Sequence, residues 1–431
     1  MTTKRQGGGF FAEVSLVAGG KIIALASLFL LGIVVARFIG PDEYGRYATA
    51  LALILLLDAI LGSPLDWAVV RFGTLHADDA ERVEGLLGAT FKLKAAVAVA
   101  LFLTALVFSE PIAGLLFPEA PSASKLLLSL LAATIALLAL RSLASYLQLK
   151  RSFRKYALLD LATAIVRIAL VAPLLIYGID DAWAFVGLYG LAAAIVFVGG
   201  LLWIRPTFMR AATPSREDRR ALIGFCGSTT LIMILGAVSG RADILMLGAL
   251  AGGAQTGLYA AAAHVAMLAT MIAGYAAVVI QPRIIPAARE GEVRRLWQSN
   301  LRLVAALLLL VVPVTIWGLP YLFPLLYGER YLPAVPALQV LVIGTVLDLL
   351  TMPVLQPFGI QLCPRQSVWI EIVIASLFVL LAPLVASQGI VMMAWLMTLI
   401  RLGKLMGYGV IAWQHAGRVE SRLRQDMVNT E

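Results

Sequence analysis

The stretch GPDEYGRY, residues 40–47, interrupts two long apolar runs. Its skeleton, Gly40-x4-Gly45-x-Tyr47, returns as GGAQTGLY, residues 252–259, with Gly252, Gly257 and Tyr259 in the same places. The offset is 212 residues in a chain of 431, close to half the length. Glycine is common (37 residues), so chance is the first explanation to test. A second echo argues against it. At an offset of 211, RKYALLD (Arg154 to Asp160) and RQSVWIE (Arg365 to Glu371) both read Arg-x5-acid. Repetition at half-length predicts a duplicated architecture in which each half makes the same turn. Glycine adopts backbone angles closed to other residues, so the repeated glycines are expected to make it.

The composition defines the solvent. Hydrophobic residues make up 61% of the chain and charged residues 14%. That leaves too little polar surface for a water-soluble protein of this size, and long apolar runs that must satisfy their own backbone in lipid read as helices. The fold class is therefore all-α integral membrane. Tyr47 and Tyr259 are expected at the lipid interface, where amphipathic rings are favoured. Lys4 and Arg5 precede an apolar run that contains Lys21 and continues to Val35. It is too long for a cleaved signal and is expected to remain as the first helix. Cys226 and Cys363 match no disulfide or metal spacing, and His76, His264 and His415 are too scattered for a metal cluster. No phosphate-binding loop is present, since GGK at 19–21 lacks its first glycine and its Ser/Thr. Neither a nucleophile elbow nor HExxH appears. These absences point away from an enzyme, and no cofactor is expected beyond an H+ or Na+ coupling ion.

A crossing helix needs about 20 mostly apolar residues. Such runs lie near 14–36, 47–70, 86–108, 125–147, 157–177 and 183–204, and again near 222–250, 257–280, 300–319, 334–356, 367–386 and 389–413. About twelve helices thus divide into an N-terminal bundle (1–204), a linker (205–220), a C-terminal bundle (221–413) and a tail (414–431). Six crossings return the chain to its starting side, so the repeats are parallel, related by an axis along the membrane normal. With the N-terminus in the cytoplasm, the even-numbered loops and the tails carry 21 Lys and Arg, against Arg37, Arg46, Lys125 and Arg330 on the other side. This asymmetry predicts that both termini are cytoplasmic. It also accounts for the net charge of +9 without nucleic acid, because the basic loops face an anionic lipid surface.

An ionised group at mid-bilayer costs about 2.5–3.5 kcal/mol on insertion scales, so charges inside the runs form the candidate site. Nearest mid-depth are Asp58, Arg167, Arg241, Asp243, Asp348, Arg401 and Lys404; nearer the cytoplasmic face are Lys21, Asp66, Arg141, Asp160 and Glu371. Two readings stand for them. They are interhelical ion pairs or snorkelling groups, or they line a water-filled cavity for an anionic substrate. The mid-depth bases exceed the acids by one, and guanidinium groups grip phosphate oxygens in bidentate fashion. His264 is either a packed, hydrogen-bonded group or part of a proton relay. Pro64, Pro173, Pro313, Pro353 and Pro357 mark kinks, which serve gating in some membrane proteins and occur in rigid bundles too.

At ARFIGPDEYGRYATALAL (Ala36 to Leu53) the chain resembles the polysaccharide-flippase family, the O-antigen and exopolysaccharide exporters of the multidrug/oligosaccharidyl-lipid/polysaccharide superfamily. The resemblance rests on Arg37, Ile39, Gly40, Pro41, Tyr44, Gly45 and Tyr47, on RADILMLGALAGGAQTGLYAAA (Arg241 to Ala263) with Asp243 in the usual aspartate place, and on LFPLLYGERYLPAVPALQVL (Leu322 to Leu341). It covers nearly the whole chain. It implies two six-helix bundles facing one another in a V, as in multidrug exporters of that superfamily. It further implies transfer of undecaprenyl-pyrophosphate-linked oligosaccharide from the inner to the outer leaflet of the bacterial cytoplasmic membrane. Lipid-linked oligosaccharide and membrane lipids would be the partners, with a polysaccharide polymerase and an initiating glycosyltransferase nearby. Rival readings are a cation-coupled multidrug exporter, which would favour an acidic cavity; a membrane polymerase or glycosyltransferase, which would carry a large loop or catalytic domain; and a non-transporting scaffold.

Overall fold

The computed structural model describes residues 6–428 except 77, 119, 211–213, 269–294, 296, 303, 305, 307–312 and 357–362; at some helical positions, including 6–25 and 415–428, it describes the backbone alone. Every regular element among the described residues is helical. The helices are α1 (Gln6–Leu61), α2 (Ser63–Leu75), α3 (Ala80–Val107), α4 (Ser109–Leu116), α5 (Ala123–Leu149), α6 (Phe153–Tyr177), α7 (Ala182–Ile204) and α8 (Arg216–Leu250). They continue with α9 (252–268), then α10 (Leu319–Tyr327), α11 (Val335–Leu350), α12 (Pro364–Ala386) and α13 (Ile390–Val428). Among the described residues, eight helices are long and apolar enough to cross a membrane, and a shorter apolar helix covers Val314–Tyr327. The eighth and ninth expected runs fall partly outside the described residues.

α1 is two helices joined at Gly40, whose φ of 80° and ψ of 172° belong to a region open essentially to glycine alone. Pro41 follows, its φ already suited to a first helical turn. Gly252, at the start of α9, has φ 81°. The two copies of the motif therefore bend the chain through the same glycine. A second interruption, at Gly62, separates α1 from α2, and Pro64 stands in the first turn of α2. Pro173 lies inside the continuous α6. Pro313 immediately precedes a π-helical turn, Val314–Gly318, and Pro353 lies within another, Thr351–Leu355. Pro357 is outside the described residues.

By internal contacts the chain forms two compact units, Met1–Arg241 with Gly252–Ala254, and Ala242–Ala251 with Gln255–Glu431. In the first, a core of Ala50, Ile54, Leu126, Leu130, Ala133, Leu137 and Val186 joins α1, α5 and α7. With no water to expel from between helices in lipid, close backbone approach supplies the packing energy. Gly190 shows it: a Cβ there would stand 2.5 Å from the Ala133 Cα. In the second unit, Gly403 and Gly407 of α13 lie against Ile374 and Ile370 of α12, a G-x3-G face used in the same way. Large apolar side chains such as Leu103, Val107, Ile176 and Leu380 point outward, as lipid contact requires.

Alanine at Gly40 or Gly252 is expected to cost about 1–3 kcal/mol by forcing a side chain into that backbone region. Gly199 of α7 has open space around its Cβ position, so Gly199→Ala should be neutral or slightly stabilising. Thermal melts of the purified variants in detergent check both.

Candidate functional site

In the first unit the buried charges gather around the break at Gly62. Asp58, in the last turn of α1, is 3% exposed. Its Oδ2 accepts from Ser63 Oγ (3.1 Å) and pairs with Nη1 of Arg141 on α5 (3.1 Å). Its Oδ1 is buried without a hydrogen-bond partner. A Cβ on residue 62 would stand 2.5 Å from that oxygen, so the carboxylate occupies space that only glycine leaves. On α2, Asp66 Oδ1 accepts from Lys94 Nζ (2.5 Å) and Ser145 Oγ (2.9 Å), and Lys94 also reaches Ser142 Oγ (3.3 Å). Lys94 is buried in α3, and the sequence reading missed it. Its signal was a lysine well inside the third apolar run, at FKLKAAVAVA.

Arg167 of α6 is different. It is 6% exposed, its guanidinium lies 3.7 Å above the ring centroid of Tyr189 on α7, and its Nε has no hydrogen-bond partner. Among the described residues no carboxylate pairs with it. Stacking on an aromatic face replaces part of the lost hydration, by about 2 kcal/mol in a desolvated setting, but among the described residues no counter-charge is paired with it. Tyr47 shares its electrostatic surroundings and packs edge-on against Phe185 (6.5 Å).

The second unit pairs its charges between α11, α12 and α13. Arg401 Nε pairs with Asp348 (3.1 Å), and its Nη1 donates to the Leu341 carbonyl (3.3 Å). Gly344 makes the room, because a Cβ there would stand 2.8 Å from Nη1. Lys404 pairs with Glu371 (2.9 Å), which also accepts from Tyr408 Oη (3.2 Å). Asp243 is buried; its Oδ2 accepts from Tyr259 Oη (2.7 Å) and its Oδ1 from the backbone N–H of Ile244 (2.8 Å). Tyr259 is wholly buried, with Arg401 in its electrostatic surroundings. The interface position expected for Tyr259 is therefore corrected: it is wholly buried and its hydroxyl bonds Asp243. Buried in helix packing, a phenol gains more by bonding an acid or approaching a cation than by lying among headgroups.

His264 Nδ1 lies 2.9 Å from Tyr327 Oη, and Tyr327 stacks on Phe323 (4.8 Å). Arg241 and Asp160 are half-buried and engaged in further interactions. The side chain of Lys21 lies outside the described residues. The two depth classes read from the sequence are joined by ion pairs, Asp58 to Arg141 and Lys404 to Glu371, since a long basic side chain spans the difference.

The start of α8 is anchored to its own unit. Arg82 clasps Asp218 through Nη2 (2.5 Å) and Nε (3.1 Å), Ser215 Oγ donates to the same acid (2.8 Å), and Phe225 lies under Arg71 (4.9 Å) and edge-on to Phe72 (5.9 Å). The bonds from Arg82 hold the Asp218 carboxyl below the usual carboxylate range.

Long apolar helices with charges buried among them define a multi-pass membrane protein. The chain belongs to the polysaccharide biosynthesis protein family, whose pattern matches residues 12–287, more than half of its length. No curated protein matches it. Among solved structures it is similar to the lipid II flippase MurJ in an inward closed conformation (13% identity, 94% of this chain and 89% of that one, TM-score 0.71). It is also similar to an inward-facing multidrug resistance MATE family transporter of the MOP superfamily (18% identity, 92% and 95%, TM-score 0.67). A third likeness is to a MOP superfamily transporter from Pyrococcus furiosus described as having a binding pocket of reverse polarity (18% identity, 95% and 96%, TM-score 0.55). These likenesses establish the fold alone, an all-helical one shared with those proteins.

Asp348→Ala leaves Arg401 unpaired and is expected to cost about 3–5 kcal/mol, whereas replacing both residues with apolar side chains should recover most of it. A double-mutant cycle by thermal melting checks this. For Asp218 the folded carboxyl is the more acidic one, so its link is fully present above the ordinary carboxylate range and is lost as pH falls through the lowered value. Wild-type stability should therefore drop on acidification below about pH 4. Asp218→Asn should be less stable at neutral pH and show less of that drop.

Proposed function

We propose that the chain is an alternating-access flippase carrying a polyprenyl-pyrophosphate-linked oligosaccharide from the inner to the outer leaflet of the bacterial cytoplasmic membrane, for exopolysaccharide, O-antigen or capsule assembly. Arg167 carries this reading. A buried cation without a carboxylate is a standing cost in a membrane protein, and a pyrophosphate is the part of such a substrate that offsets it. The guanidinium presents a planar, bidentate face that matches phosphate oxygens. Membership of the polysaccharide biosynthesis family and a fold similar to that of a lipid II flippase support the assignment.

In this reading the N-terminus and the basic loops are cytoplasmic. The glycan crosses in a polar path while the polyprenyl chain stays in lipid. The chain has no phosphate-binding loop of the ATPase kind, so the drive is an H+ or Na+ gradient or consumption of the product by a polymerase on the far side. An initiating glycosyltransferase supplies the lipid-linked sugar.

Arg167→Ala, at unchanged membrane abundance, is expected to lower polysaccharide export by about tenfold or more, equivalent to about 1.4 kcal/mol of lost binding. Arg167→Lys keeps the charge and loses the fork, so it should retain part of the activity. Undiminished export by Arg167→Ala overturns the role of this residue.

A further inference from the structure

The Asp58–Arg141 pair is lopsided. The acid side chain is 4% exposed and the base 42%. Asp58 Oδ2 already holds both Arg141 and Ser63. Its Oδ1, beside Gly62, holds nothing, so it is the atom that takes a proton without breaking an existing hydrogen bond.

The groups around Asp58 leave Arg141 as its one direct counter-charge among the described residues. From α5 come Arg141 and the apolar Leu138; Ser63 is local; Asp66 and Lys94 lie further along the break. Lys94 is committed to Asp66 and Ser142. Cys226 of α8 is turned to the Pro64 carbonyl (3.8 Å).

We propose that Asp58 is a proton site and that its protonation hands Arg141 to an anionic, phosphate-bearing ligand. The exchange balances. One proton binds Oδ1, the Asp58–Arg141 ion pair opens, and the freed guanidinium pairs with one negative charge of the ligand. Site and ligand together gain the one proton taken up. Arg141 is already partly exposed, so moving it to a new anion strips little water from it, while the neutral acid stays buried with Ser63. Anion binding and proton uptake are then linked, each favouring the other by the same factor. The proton leaves with the ligand, so with this linkage the drive is a Na+ gradient or consumption of the product, not an inward H+ gradient. Asp66 cannot do this, because its cation, Lys94, is itself buried and held by a second partner.

The inference rests on the flippase reading for its ligand class, and the test separates the two. Farnesyl pyrophosphate and inorganic pyrophosphate are titrated into the full-length protein in detergent by calorimetry in buffers of different ionisation enthalpy, which counts protons. Wild type should take up close to one proton more per ligand than Asp58→Asn, and its affinity should fall with rising pH more steeply than that of the variant. Arg141→Gln, a second variant that keeps Asp58, should bind more weakly and lose the extra proton. The extra proton with both ligands supports headgroup exchange from any source; with farnesyl pyrophosphate alone, it supports a lipid-linked ligand. Equal proton counts in wild type and Asp58→Asn overturn the proposal. No binding of either ligand by wild type overturns the flippase reading beneath it.

Discussion

An ionised side chain inside a hydrocarbon layer must find a partner, and the packing of this protein is arranged around that requirement. Asp58 takes Arg141, Asp66 takes Lys94, Asp348 takes Arg401 and Glu371 takes Lys404. Each pair bridges two different helices, so meeting the electrostatic requirement also fixes which helices are neighbours. Glycine then appears where the charged atoms need space: Gly62 against the Asp58 carboxylate and Gly344 against the Arg401 guanidinium. Against this background Arg167 stands out, stacked on Tyr189 without an acid. Among the described residues this contrast with the paired charges is the observation on which the proposed function rests.

The duplication shows the same logic twice. Gly40 and Gly252 share a φ near 80°, and a tyrosine follows each by seven residues, Tyr47 and Tyr259. The two halves then part. In the second unit Arg401 is paired with Asp348 and the tyrosine bonds Asp243. In the first, neither acid has a counterpart at Arg167. The turn is the feature the two halves share; Arg167 and Arg401 lie 234 residues apart, outside the 211–212 offset of the repeat, so the arginines belong to each half separately.

Most of the helices were legible because hydrocarbon thickness demands long apolar runs, and the turn was legible because its backbone region excludes every residue but glycine. The buried charges were largely legible as well, since a charge inside an apolar run is expensive enough to mark itself. Their pairings were not. Whether Asp58 meets Arg141 or Arg167 depends on helix rotation and on the break at Gly62, and neither follows from counting along a run. Tyr259 was misplaced for a related reason: a tyrosine at the end of an apolar run suits a headgroup layer and a buried acid equally, and only the position of Asp243 decides. Lys94 escaped because its run is apolar on average; its partner lies 28 residues away on a different helix.

The central claim is that this chain carries a lipid-linked glycan across the membrane. The most direct measurement is to deplete it in cells and assign lipid-linked oligosaccharide to each leaflet with an impermeant label on intact spheroplasts. The account predicts that the glycan lipid accumulates in the inner leaflet while its synthesis continues. An unchanged leaflet distribution for that glycan would contradict it.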